Sequence, residues 1–232
     1  MGVAENYLRV RDDIANTALA VGRRADDVEL LAVTKFVDTE RIMQAVQAGA
    51  SHAGENRVQE YVSKAEFFQE NGVTCDIIGR LQTNKLKYVT GKVRYIQSVD
   101  RLPVAEEINR LAVKLDTVQN ILVEVNIGQE EQKGGIMVPQ LRDFLYQLSA
   151  MQGVCVKGLM CIPPAVSEKE AQGYFSKMRK LFDDISSENI ENVKMEQLSM
   201  GMSGDYKAAI REGATIVRVG SAIFGQRPTA IG

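Results

Sequence analysis

Eight short apolar runs alternate with segments of helical period along nearly the whole chain, and this alternation leaves few architectures open. The runs occupy residues 30–34, 52–54, 76–79, 95–98, 121–127, 156–161, 196–200 and 215–219. Val123, Val125 and Ile127 are β-branched, which suits a pleated, half-buried surface. Helix-period stretches at 39–48, 59–69, 84–89, 101–114, 138–151, 167–188 and 205–212 separate the runs. A further helix over 4–19 precedes them, with Tyr7, Val10, Ile14 and Ala18 on one face. Strands divided by helices pair in parallel through crossover connections. Eight such units in 232 residues predict one closed (β/α)8 TIM-type barrel domain over 1–232, with an extra N-terminal helix. An open doubly wound sheet is the alternative. Its glycine fingerprint is missing after the first run, where Lys35-Phe36-Val37-Asp38 stands instead.

Composition removes several classes of function. A net charge of -2 leaves no basic footprint for nucleic acid. No apolar stretch approaches the ~20 residues that span a bilayer. The start, Met1 to Tyr7, has no basic segment followed by an apolar one, so no signal peptide is expected and the cytoplasm is the expected compartment. Cys75, Cys155 and Cys161 are odd in number and not in metal-ligand spacing. They read as small apolar residues in a reducing cytosol. With a single histidine, His52, a zinc site is not expected, and His52 itself reads as structural.

Chemistry in such a barrel belongs at the C-terminal ends of the strands. The first run closes on Lys35, an amine at the end of a strand buried on both faces. Loss of hydration there lowers an ammonium pKa and makes a nucleophile toward carbonyls. The same rim collects Gly54-Glu55-Asn56, Asn126, Glu130, Lys133 and Met160. Gly201, Met202, Ser203 and Gly204 precede one helix, and Gly220-Ser221 precedes another. Glycines let backbone approach an anion and serines add hydroxyl donors, so these two turns read as a phosphate cradle. Arg218 lies between Val217 and Val219, and alternation turns it toward the barrel interior. A guanidinium buried there needs a structural or ligand partner.

These residues fall in strings that resemble one family. Leu30-Leu31-Ala32-Val33-Thr34-Lys35, Gly54-Glu55-Asn56 with Val58-Gln59-Glu60, and Ile78-Gly79-x-Leu81-Gln82-x-Asn84-Lys85 are similar to the pyridoxal-5′-phosphate homeostasis proteins, the YggS/PROSC family. So are Gly158-Leu159-Met160, Leu198-Ser199-Met200-Gly201-Met202-Ser203 and the stretch from Val217 to Gly225. The resemblance implies a barrel like the N-terminal domain of alanine racemase, of fold type III. It implies that Lys35 forms a Schiff base with pyridoxal 5′-phosphate. Ser199, Gly201, Met202, Ser203, Gly220 and Ser221 fall in the phosphate-holding segments, Arg218 faces the pyridine nitrogen, and Asn56 and Met160 lie near the ring. Lys133 matches a loop lysine that takes or passes on the aldehyde. Two positions depart from the family pattern: Asp76 stands where histidine is usual, and Thr34 where serine is common.

The resemblance also favours binding over turnover. Pyridoxal phosphate is an electron sink when its ring nitrogen is protonated, usually opposite a carboxylate. Arginine stays charged and accepts no proton. The chain ends soon after the eighth unit, so no second domain is expected to supply a further base. The expectation is a monomeric, non-catalytic carrier that stores the cofactor and delivers it to apoenzymes that depend on it. A small fold-type III amino-acid racemase is the alternative.

Overall fold

The computed structural model describes residues 2–130 and 132–226. Eight parallel strands close a barrel: β1 (Glu29–Val33), β2 (His52–Glu55), β3 (Thr74–Ile77), β4 (Ile96–Val99), β5 (Gln119–Asn126), β7 (Val154–Cys161), β8 (Val193–Ser199) and β9 (Ile216–Val219). Pairing of β4 with β5 and of β1 with β9 completes the ring. A two-residue strand, β6 (Ile136–Met137), joins β5 where its pairing with β4 ends. Helices α2 (Thr39–Gln47), α3 (Val58–Glu70), α4 (Leu102–Lys114), α5 (Leu141–Ser149), α6 (Glu168–Ser187), α7 (Tyr206–Arg211) and α8 (Ser221–Phe224) lie in the connections, after α1 (Val3–Ala20). The chain thus folds as a TIM barrel.

Local chemistry explains the helix starts. Ser167 Oγ accepts from the Glu170 amide, and the Glu170 carboxylate accepts from the Ser167 amide, a reciprocal cap on α6. Asp38 Oδ1 accepts from the Arg41 amide at 2.8 Å and caps α2. Several expectations shift, and β3, β5 and β7 each begin two residues earlier than expected. The connection expected as a helix over 84–89 is a 3-10 turn, Thr83–Tyr88. The helix expected from 138 begins as a 3-10 turn at Val138–Gln140, where Pro139 supplies no amide. Strand β8 begins at Val193, before the expected 196, because exposed Lys194 and Glu196 alternate with half-buried neighbours and break the apolar run.

Alternation divides the strand residues between two cores. Outward-facing Leu30, Ala32, Cys75, Ile77, Val217 and Val219 pack beneath the helices. Inward-facing Leu31, Val33, Ile78 and Ile216 form a separate cluster with Tyr95 inside the barrel. That inner cluster is small because much of the remaining interior is polar, which is where the candidate site begins.

Candidate functional site

At the C-terminal mouth a cavity of about 800 Å³ opens, a size suited to a small ligand. Lys35 lines it. Its placement follows from period 2: Leu31 and Val33 face inward, so the next residue of that face is Lys35. Thr34 faces the other way and donates to Glu55 Oε1 at 2.7 Å. Met202, Ser203, Gly204, Gly220 and Ser221 also line the cavity, with Asn56 from the turn after β2. Ser203 Oγ accepts from the amides of Gly220 and Ala222, both at 3.3 Å. Two amides therefore converge at the cavity wall on long bonds to a neutral hydroxyl. An anionic oxygen there would form stronger, charge-assisted bonds.

Arg218 forms part of the cavity lining and is 3% exposed. Its Nη1 donates to Ser199 Oγ and its Nη2 to the Cys161 carbonyl, each at 2.8 Å. No carboxylate lies within ion-pair distance of it among the described residues. Burial pulls its pKa below the ordinary value, while Cys161, Glu124 and Asp205 oppose that shift. A guanidinium has five donors, and its two protein acceptors here are neutral. It retains capacity for an acceptor in the cavity, such as a pyridine nitrogen. The buried cation, the amine and the convergent amides together fit the three ends of pyridoxal 5′-phosphate.

Met160, Ser199 and Gly201 were expected near a ligand and do not line the cavity. Ser199 is fully buried and donates to Gln97 Oε1 at 2.6 Å while accepting from Arg218. It holds Arg218 rather than a phosphate. Gly201 has φ +92, and a Cβ there would meet Ala209 Cβ at 2.6 Å. It is a turn and packing glycine. Met160 is fully buried in the register between Glu124 and Ser199. Lys133 does not line the cavity and pairs with Glu130 at 2.5 Å.

Several residues that matter here carry no motif signal. Arg41, in the first turn of α2, lines the cavity and donates to the Phe224 carbonyl at the end of α8. A polar chain runs through the barrel from Arg218 to Ser199 and Gln97. Gln97 Nε2 donates to Asp76 Oδ2 at 2.7 Å. Arg94 donates to both oxygens of Asp76 and to both of Glu29. Asp76, the departure from the family pattern, is thus the acceptor that joins the chain's two halves. Glu124, on β5, has its carboxyl pushed up to about 7, first by burial and then by Asp100. His52 lies at the start of β2, away from the cavity mouth, with Nδ1 2.7 Å from Thr74 Oγ1. All three cysteines are free and buried. No group of metal-ligating side chains occurs among the described residues. No helix there is long and apolar enough to cross a membrane.

Comparison with known proteins decides the family. The model of the alanine racemase N-terminal domain matches residues 11–228. The pyridoxal phosphate homeostasis protein of Aquifex aeolicus is 42% identical over 228 residues, 98% of this chain and 99% of that one. The chain belongs to the pyridoxal phosphate homeostasis protein family. The Escherichia coli K12 member is 36% identical over 228 residues, covering 97% of each chain. The structure of the family member PipY of Synechococcus elongatus with PLP bound superposes with a TM-score of 0.83. It is 32% identical, and the match covers 96% of this chain and 100% of that one. Within the family frame, Lys35 follows β1 and Arg218 lies on the neighbouring β9, with Leu31 of β1 in register with Arg218.

Proposed function

We propose that the chain binds pyridoxal 5′-phosphate through a Schiff base to Lys35 and acts in homeostasis of that cofactor, holding it reversibly and releasing it to apoenzymes that require it. The supporting observation is the joint presence of Lys35 and Arg218 in one cavity that the glycine-serine turns also line. The neutral Lys35 amine condenses with the aldehyde, a C=N bond forms and one water leaves. Hydrolysis reverses the step. Ser203, Gly204, Gly220 and Ser221 hold the phosphate. Asn56 and Met202 flank the ring, and Arg218 donates to the ring nitrogen. The cofactor's electron-sink chemistry needs that nitrogen protonated, and Arg218 keeps it unprotonated.

We propose a non-catalytic role, supported by Arg218 being the buried charged group of the lining. Among the described residues that line the cavity there is no carboxylate, histidine or tyrosine. A racemase needs an acid-base group on each face of the substrate carbon, and among the described lining residues Lys35 is the amine placed for one face. We further propose a monomer in the reducing cytoplasm, with the three buried thiols unoxidised. Borohydride reduction followed by peptide mapping tests the attachment: the label belongs on Lys35, and Lys35→Ala loses the absorbance near about 420 nm expected of a protonated imine. Label on another lysine refutes the assignment. Rapid α-proton exchange of amino acids that depends on Lys35 refutes the carrier role in favour of the racemase.

A further inference from the structure

Behind the barrel wall, on the side away from the cavity, three charged side chains converge on the backbone around Lys35. Lys64 of α3 donates from Nζ to the Thr34 carbonyl and to Glu55 Oε1, each at 2.8 Å. Thr34 Oγ1 donates to that same Glu55 oxygen. Glu60, one turn before Lys64, accepts the Phe36 amide at Oε2 over 2.7 Å and lies 3.8 Å from Nζ of Lys64. The carbonyl before Lys35 and the amide after it are thus both gripped by charged groups on one helix. Phe36 has φ 60, a left-handed conformation uncommon for a bulky residue. It persists because its neighbours hold it there.

The cluster is costly to maintain. The side chain of Glu55 is fully buried and that of Lys64 is 10% exposed. Glu55 Oε2 has no hydrogen-bond partner among the described residues. Two apolar side chains of similar volume would fill the space without such desolvation. None of the three residues lines the cavity. Lys64 and Glu60 bond the two peptide groups flanking the amine, and buried Glu55 holds Lys64 in place.

We propose that Lys64, Glu55 and Glu60 form a clamp of positioning residues. It fixes the turn at Thr34–Phe36 so that the Lys35 amine meets the aldehyde carbon in attack geometry. This rests on the reading of Lys35 as the attachment point. The clamp acts on bond formation to the aldehyde. It does not act on the phosphate cradle, which hangs from the turns after β8 and β9.

Two ligands separate these effects: pyridoxal 5′-phosphate and 4-deoxypyridoxine 5′-phosphate, which carries a methyl group in place of the aldehyde. The full chain is used as wild type, as E60Q, as the double variant K64M/E55Q, which removes both buried charges, and as K64R. E60Q and K64M/E55Q are expected to bind pyridoxal phosphate about tenfold more weakly, the scale of a lost charge-assisted hydrogen bond. They are expected to bind the deoxy analogue within twofold of wild type and to label more slowly with borohydride at Lys35. K64R keeps a cation with several donors and recovers most of the affinity. Equal losses for both ligands would show a merely structural role and overturn the clamp, as would unchanged affinity and labelling. E60Q, whose parent side chain is 20% exposed, keeps the test informative if the double variant does not fold. Should wild type label at a lysine other than Lys35, the attachment reading fails. Should it label at Lys35 while the variants match it, only the clamp fails.

Discussion

Glu124→Gln is expected to stabilise the protein at neutral and higher pH and to do nothing at pH 4.5. The carboxyl of Glu124 stands at about 7 against an ordinary value of 4.5. The cause is first its burial inside the barrel, then the neighbouring Asp100 carboxylate. Arg218, Arg80 and Arg101 pull the other way without restoring the ordinary value. The folded state therefore binds this proton more tightly than the unfolded chain does. A raised carboxyl pKa contributes stability that is fully present below about 4.5 and is lost as pH rises through 7. At about 1.4 kcal/mol per tenfold, the whole difference is about 3 kcal/mol. The side chain is only half-buried, so water screens part of it and about 2 kcal/mol is the expected loss in wild type. Glutamine has nearly the same shape and cannot ionise. Urea unfolding at pH 4.5 and at pH 8 measures the effect. The two proteins should coincide at pH 4.5, and the variant should be more stable by about 2 kcal/mol at pH 8, several degrees in Tm for a chain this long. A pH-independent difference, or a variant weaker at pH 8, would refute the account of a strained carboxylate in the barrel.

Two further outcomes follow from the geometry. Ser199→Ala removes one of two acceptors for the buried Arg218 and the hydroxyl donor to Gln97, so urea unfolding should show a loss of about 1–3 kcal/mol, and pyridoxal phosphate should bind more weakly because Arg218 is no longer aimed. Unchanged stability and binding would return Ser199 to a passive role. Gly158→Ala places a Cβ 1.8 Å from the Gln197 carbonyl oxygen at a residue with φ +147, so the β7–β8 pairing must separate, and a loss of more than about 3 kcal/mol is expected by thermal or urea unfolding. A variant with wild-type Tm would show that the two strands separate at little cost.

Strand alternation, Lys35 at a strand end, an inward Arg218 and glycine-serine turns at one rim were all legible in the sequence. Each depends on a period of two or on residues a few positions apart, which local backbone geometry dictates. What Arg218 touches was not legible. Ser199 reads as a phosphate residue from its neighbours Gly201 and Ser203, yet its hydroxyl is turned toward Gln97, 102 positions away. Glu55 and Glu60 were visible as members of a string, without a role. Their role needs α3 laid against the back of β2 and β3, with Lys64 reaching Thr34 beyond the end of β1. Arg41 had no signal at all, because its place at the cavity depends on the end of α8 lying beside α2.

The order of strands and helices, and the face on which each strand residue lies, belong to the sequence read alone, because they express repeats of two and 3.6 residues. The partners across the barrel belong to the tertiary structure. They are set by the stagger between neighbouring strands when the sheet closes on itself, and ring closure joins residues whose separation along the chain carries no periodic trace.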